Sequence, residues 1–139
     1  MKIMVSACLL GQKCKYDGGD NCSEKVLEYI KDHEIIIPVC PEVAGGLFTP
    51  RIPCEIVNGE VINKDGESKD KEFREGAEEC LKMAKENGIE LAILQSRSPS
   101  CGVNQIYDGT FSGKLIEGSG IFASMLKENG FETIDVEDI

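Results

Sequence analysis

The sequence predicts an α/β protein, one domain over residues 1–139, built as a three-layer sandwich around a mainly parallel, Rossmann-like sheet with hairpin excursions. Three observations predict it. Apolar runs at 3–7, 35–39 and 91–95 are short and nearly unbroken, as in strands buried on both faces. Segments of helical periodicity lie between them. Turn dipeptides, Asn58-Gly59 above all, divide the remaining extended stretches into hairpins.

Taken in order, residues 3–7 form the first strand. Asn21 or Ser23 can cap a helix over 24–32 that puts Val26, Leu27 and Ile30 on one face. The second strand, 35–39, leads into a loop. Residues 55–62 read as a hairpin turning at Asn58-Gly59. From 69 to 87, Phe73, Ala77, Cys80, Leu81 and Ala84 recur at helical spacing, and Gly88 is a natural stop. The third buried strand is 91–95. Asp108-Gly109 and Ser112-Gly113 make 105–116 an irregular hairpin. Ser119 is expected to cap a helix over 121–128, and 131–136 makes the last strand. Right-handed crossovers would then line up the C-terminal ends of the parallel strands along one edge.

Composition narrows the function. The chain has 139 residues, enough to bury a real core. With 25 acids against 15 bases its net charge is −10, which argues against a partner that is polymeric DNA or RNA. No stretch approaches the ~18 apolar residues of a membrane span. The N-terminus is too short and strand-like for a signal peptide, so a cytoplasmic location is expected. There, seven cysteines point away from a disulfide framework, towards metal ligands, reactive thiols or inert core residues.

The cysteines sort by position. Cys8, Cys40 and Cys101 each follow one of the three buried runs, at the sheet edge where ligands of open α/β sheets bind. Three thiolates from three strand ends suit a soft metal. The alternative is that they are small residues at strand ends. Zinc structural sites usually take four ligands in Cys-x-x-Cys pairs, and no such pair occurs. Cys80 lies on the apolar stripe of the long helix and reads as core. Cys22 and Cys54 read as incidental. Cys14 is a possible fourth ligand or a lining residue.

Other chemistry collects on the same edge. Cys40-Pro41-Glu42 sets a carboxylate two residues from a thiol, where a general base or a turn residue would stand. Thr49-Pro50-Arg51 offers a fixed turn and a cation, and Ser96, Ser98 and Ser100 surround Cys101. Gly118-Ser119-Gly120 is a weak phosphate-cradle signal. His33, the one histidine, lies in the polar stretch Lys31-Asp32-His33-Glu34 and reads as a surface residue.

At these residues the sequence resembles a family of small bacterial and archaeal proteins associated with thiouracil desulfurase (desulfidase) activity. The matching motifs are Ser6-Ala7-Cys8-Leu9-Leu10-Gly11 with Tyr16-Asp17-Gly18, and Cys40-Pro41-Glu42 with Gly45-Gly46-Leu47 and Pro50-Arg51. Ser96-Arg97-Ser98-Pro99-Ser100-Cys101-Gly102 and residues 106–113 complete the set, so the resemblance runs over 2–136. It implies a [4Fe-4S] cluster held by Cys8, Cys40 and Cys101, with one open iron for the sulfur of a thiolated pyrimidine. It also implies Glu42 as acid/base and Ser98 as assistant. Ser100, Arg51 and Asp17 are read beside them as candidate substrate contacts. The chemistry implied is non-redox, with water replacing sulfur. Cys54 departs from the family pattern. The substrate stays open between 2-thiouracil, 4-thiouracil and a thiouridine monophosphate, and the oligomeric state is unread. Two rival readings stand beside it: a non-catalytic zinc or iron–sulfur carrier, and a dithiol redox protein, the latter weakened by the missing Cys-x-x-Cys.

Overall fold

The computed structural model describes residues 1–33 and 35–139. Its elements in chain order are β1 (Lys2–Ser6), α1 (Glu24–Ile30), β2 (Ile35–Val39), α2 (Pro41–Ala44), β3 (Cys54–Val57), β4 (Glu60–Asn63), α3 (Asp70–Asn87), β5 (Leu91–Leu94), β6 (Gln105–Tyr107), β7 (Leu115–Glu117), α4 (Ile121–Glu128) and β8 (Thr133–Asp135). Four of them, β2-β1-β5-β8, form one parallel sheet, while β3-β4 and β6-β7 are separate antiparallel hairpins. This is the mixed α/β, mainly parallel architecture that the apolar runs predict.

The period of two along each strand builds a core on both faces. Met4, Ala92 and Leu94 pack with Ala77, Cys80 and Ala84 of α3 and with Phe122, Ala123 and Leu126 of α4. Ile3, Val5 and Ile93 face the other way, onto Leu9 and onto Val26 and Ile30 of α1. Each such large side chain stabilises the fold by about 1.5–3 kcal/mol relative to exposure.

Several boundaries differ from expectation. β2 is an edge strand, not one buried on both faces: Ile35 is 40% exposed and only Val39 is buried. Its Pro38, which has no N–H to donate, is tolerated because the strand has one free edge. Ser23 caps α1 by accepting from Val26 N at 3.3 Å, and the helix stops at Ile30 with Leu27 turned outward. Glu34, part of the polar stretch around His33, lies outside the described residues. His33 itself stacks on Tyr29, with ring centroids 5.5 Å apart. The β3–β4 hairpin does turn at Asn58-Gly59, both with positive φ (51° and 82°) as that two-residue turn requires.

α4 starts where predicted, but Gly120 is its cap and Ser119 instead donates to Val103 O at 2.8 Å. The amides of Gly120, Ile121 and Ala123 donate to the carbonyls of Gly102, Pro99 and Ser100. These three amides therefore anchor the Cys101 turn to α4 and are not left for a phosphate. Among the described residues no helix is long and apolar enough to cross a membrane.

The short helix α2 was expected to be loop, and it positions the site. It touches α3 backbone to backbone: a Cβ on Gly76 would stand 1.8 Å from Pro41 O, and one on Gly45 1.9 Å from Glu72 O. Only glycine permits that approach at either position. Cys40 and Glu42 are thereby fixed to the longest helix of the molecule.

Candidate active site

At the C-terminal edge of the sheet a cavity of about 420 Å³ opens among the ends of β1, β2 and β5. Cys8 lies in the 3-10 turn Ala7–Leu10 that follows β1, Cys40 caps α2 after β2, and Cys101 lies in the turn after β5. β1 pairs with both β2 and β5, so the three exits are adjacent. All three thiols line the cavity, together with Cys14 and Cys54. Five of the seven cysteines thus share one wall system, while Cys22 is exposed and Cys80 is buried in the core. Cys54 is the surprise. It heads β3, whose local sequence shows only a hairpin, and the hairpin folds over the sheet edge so that its first residue faces inward.

The thiols are all free, and burial raises four of those in the cavity, Cys8, Cys14, Cys54 and Cys101. Burial pushes Cys101 well above the usual thiol value of 9.0, against a hydrogen bond from Ser6. Burial also raises Cys8, while the Asn21 amide, donating to its Sγ at 3.5 Å, favours the thiolate. Cys14 is pushed up to about 12 by burial and by its neighbour Cys40, and Cys54 to about 12 by burial and the Glu42 carboxylate.

This donor set fits a metal cluster. The thiols are soft, unpaired and clustered, and side-chain donors (Asn21 on Cys8 at 3.5 Å, Ser6 on Cys101) face their sulfurs. Among the described residues no three Cys, His, Asp or Glu side chains close tightly enough to hold a single ion. One zinc ion would need sulfurs roughly 3.8 Å apart, from Zn–S bonds of about 2.3 Å in a tetrahedron. A cubane, whose ligands bind separate metal corners, accepts a wider spread.

Glu42 is the organised carboxylate of the cavity. Arg51 Nε donates to its Oε1 at 3.1 Å, and Ser100 Oγ donates to its Oε2 at 2.9 Å. Arg51 is not the surface charge that a lone arginine usually is: its side chain is 10% exposed. Its other N–H groups donate to Cys14 O (2.9 Å), Phe48 O (3.3 Å) and Thr49 Oγ1 (3.1 Å). It therefore ties the Cys14 loop to α2, with four of its five N–H donors engaged. Ser98 Oγ accepts from the amides of Ser100 and Cys101 at 3.1 and 3.0 Å. With both lone pairs occupied, its proton is left for Ser100 Oγ, 2.9 Å away. A hydrogen-bonded file Ser98–Ser100–Glu42 results. Asp17 stands apart: it is exposed, accepts from Gly19 N at 2.9 Å and does not line the cavity, although Lys15 and Tyr16 beside it do.

A larger groove, about 640 Å³, lies beside β7 and α4. It mixes Arg97 and Lys127 with Glu117, Asp135, Glu137 and Asp138 and holds no thiol, so size alone does not mark the reactive site.

Fold and cavity together define a class: an α/β protein whose sheet edge gathers sulfur donors beside a carboxylate held by an arginine and a serine. The family model for 2-thiouracil desulfurase matches residues 3–138, and the chain belongs to that family. It is 39% identical, over an alignment 147 positions long, to the uncharacterized protein YbbK of Bacillus subtilis (strain 168), covering 99% of this chain and 97% of that one. A solved structure of a [4Fe-4S]-dependent thiouracil desulfidase, TudS, superimposes with a TM-score of 0.94 at 38% identity, covering 99% of this chain and 92% of that one.

Proposed function

We propose that this chain is an iron–sulfur-dependent thiouracil desulfurase. It exchanges the sulfur of a thiolated pyrimidine, namely 2-thiouracil, 4-thiouracil or a thiouridine monophosphate, for oxygen from water. The observation that carries the reading is the convergence of Cys8, Cys40 and Cys101 on the cavity that also holds the fixed Glu42 carboxylate. Family membership and the likeness to a [4Fe-4S]-dependent thiouracil desulfidase support it.

Cys8, Cys40 and Cys101 would hold a [4Fe-4S] cluster, releasing their protons as they bind. Bound there with one iron lacking a protein ligand, the cluster supplies a Lewis acid for the thiocarbonyl sulfur. Glu42 takes a proton from the water that attacks the neighbouring ring carbon. Arg51 and Ser100 hold that carboxylate at both oxygens, so it meets the water in one orientation. Ser98 assists by orienting Ser100. Water provides the oxygen of the product and both protons of H₂S, so no electron is gained or lost. A net charge of −10 favours a small-molecule substrate over a nucleic-acid polymer, and the cytoplasm is the proposed location.

Anaerobic purification, followed by iron, zinc and sulfide analysis and a sulfide-release assay on 2-thiouracil and 4-thiouracil, tests the reading. Iron with catalytic release of sulfide is expected. Zinc in place of iron, or iron without turnover, would support a carrier instead.

A further inference from the structure

We infer that Gln95 reads the ring edge of the substrate, pairing its side-chain carboxamide with the N3–H and the adjacent unthiolated carbonyl of the pyrimidine. This rests on the desulfurase reading above and deepens it. Several polar groups of the cavity are already committed to partners. Glu42 is held by Arg51 and Ser100. Glu55 Oε1 accepts from the amides of Gly109 and Phe111, Ser96 donates to the buried Asp135, and Asn21 donates to Cys8. Gln95 lines the same cavity, and among the described residues its carboxamide has no hydrogen-bond partner.

Its backbone, in contrast, is pinned. Gln95 directly follows β5, which is flanked by β1 and β8, and its amide donates to Ser6 Oγ at 3.0 Å. A side chain with a fixed base and an uncommitted end, at the β5 exit next to the β1 exit that carries Cys8, is placed to meet a ligand whose sulfur faces the thiols. A carboxamide offers one acceptor and one donor side by side. In 2-thiouracil the matching edge is N3–H with the C4 carbonyl; in 4-thiouracil it is N3–H with the C2 carbonyl. One glutamine therefore reads both isomers. A Tyr107 hydroxyl, also in the cavity, cannot present that pair, and the Lys15 ammonium is donor only.

Equilibrium dialysis of the iron-loaded protein with uracil, 1-methyluracil and 3-methyluracil tests this, with sulfide release from 2-thiouracil measured on the same samples. Uracil, 1-methyluracil and 3-methyluracil carry no sulfur, so their binding reports the edge whether or not turnover occurs. The wild type is expected to bind 1-methyluracil about 10-fold more tightly than 3-methyluracil, whose methyl blocks N3–H, the scale of one well-made hydrogen bond. Gln95→Leu should weaken uracil by about 10-fold, abolish the preference between the methylated bases and raise KM with little change in kcat. Gln95→Glu keeps the size and the acceptor but loses the donor, and should also weaken uracil; it serves if the Leu variant loads iron poorly. Equal binding of both methylated bases by the wild type, or unchanged uracil binding in both variants, overturns the inference. Absence of sulfide release by the wild type, with the binding preference intact, overturns the desulfurase reading and leaves this one standing.

Discussion

Replacing Glu42 with Gln separates charge from shape at the centre of the site. The carboxylate oxygens have different partners, Arg51 Nε at 3.1 Å and Ser100 Oγ at 2.9 Å. A glutamine can keep both contacts: its carbonyl accepts from Arg51, and its NH₂ donates to Ser100 Oγ, which turns its own proton towards Cys101 Sγ, 3.7 Å away. What disappears is the negative charge beside a guanidinium 10% exposed. Breaking a fully buried pair costs about 3–5 kcal/mol. Here Arg51 retains three other acceptors and the pair borders an open cavity, so about 1–3 kcal/mol is expected. That loss leaves the protein folded and the thiols in place. Activity is another matter, since an amide cannot accept the proton of an attacking water. A loss of about 10²-fold or more in kcat is expected, roughly 2.7 kcal/mol of barrier, with KM nearly unchanged. Sulfide release, cluster absorbance and urea unfolding should be read on the same anaerobic sample. Near-normal turnover with the cluster intact would refute the role of Glu42 and reduce it to a residue that orders α2 and Arg51.

Other perturbations follow from the same geometry. Cys8→Ser, Cys40→Ser and Cys101→Ser should each strip or destabilise the cluster, whereas Cys80→Ser should keep full iron and lower stability by about 1–3 kcal/mol for a buried, unmatched hydroxyl; equal iron loss in Cys80→Ser and Cys101→Ser contradicts the ligand assignment. Arg51→Lys keeps the charge but cannot reproduce a fork that reaches Glu42, Phe48, Thr49 and Cys14 together. A kcat about 10-fold lower, with iron retained, is expected, and wild-type kinetics would show that the fork is dispensable. In the metal-free protein, Cys14, Cys54 and Cys80 are held neutral up to about 12, against 9.0 for an ordinary thiol. Their raised values favour the folded state fully below pH 9 and progressively less as pH climbs from 9 towards 12. Urea midpoints should therefore fall across that range, and Cys80→Ala should flatten the fall; a midpoint independent of pH removes the argument.

Much of the fold and of the cysteine placement was legible in the sequence because the strand runs and three cysteines coincide. Runs at 3–7, 35–39 and 91–95 each deliver a cysteine at or just past their ends, and parallel pairing of β1 with β2 and β5 brings those ends together. Helix α3 was readable from its 3.6-residue stripe, and its buried Phe73, Ala77, Cys80 and Ala84 are residues of that stripe. What periodicity cannot show is contact between segments far apart in the chain. Arg51 reads as one more surface cation until the loop carrying it is laid against Cys14, 37 residues earlier, and against Glu42. Cys54 enters the cavity only because a hairpin, locally unremarkable, folds over the sheet edge. The four-residue α2 is too short for any pattern, and its signal was the pair Gly45 and Gly76, whose missing side chains let two helices touch. Asp17 shows the reverse. It sits in a matching motif, yet its carboxylate serves the local turn at Gly19 and its neighbours face the cavity instead.

The central claim is that Cys8, Cys40 and Cys101 jointly hold one iron–sulfur cluster beside Glu42. Anomalous diffraction at the iron edge from crystals grown and frozen without oxygen tests it most directly. The account predicts one compact iron peak at the C-terminal sheet edge, touching those three sulfurs, with one iron corner free of any cysteine and turned towards the Glu42 carboxylate. Iron bound elsewhere, a cluster that replaces one of the three with Cys54, or one fully ligated by Cys14 or Cys54 as a fourth cysteine, would contradict it.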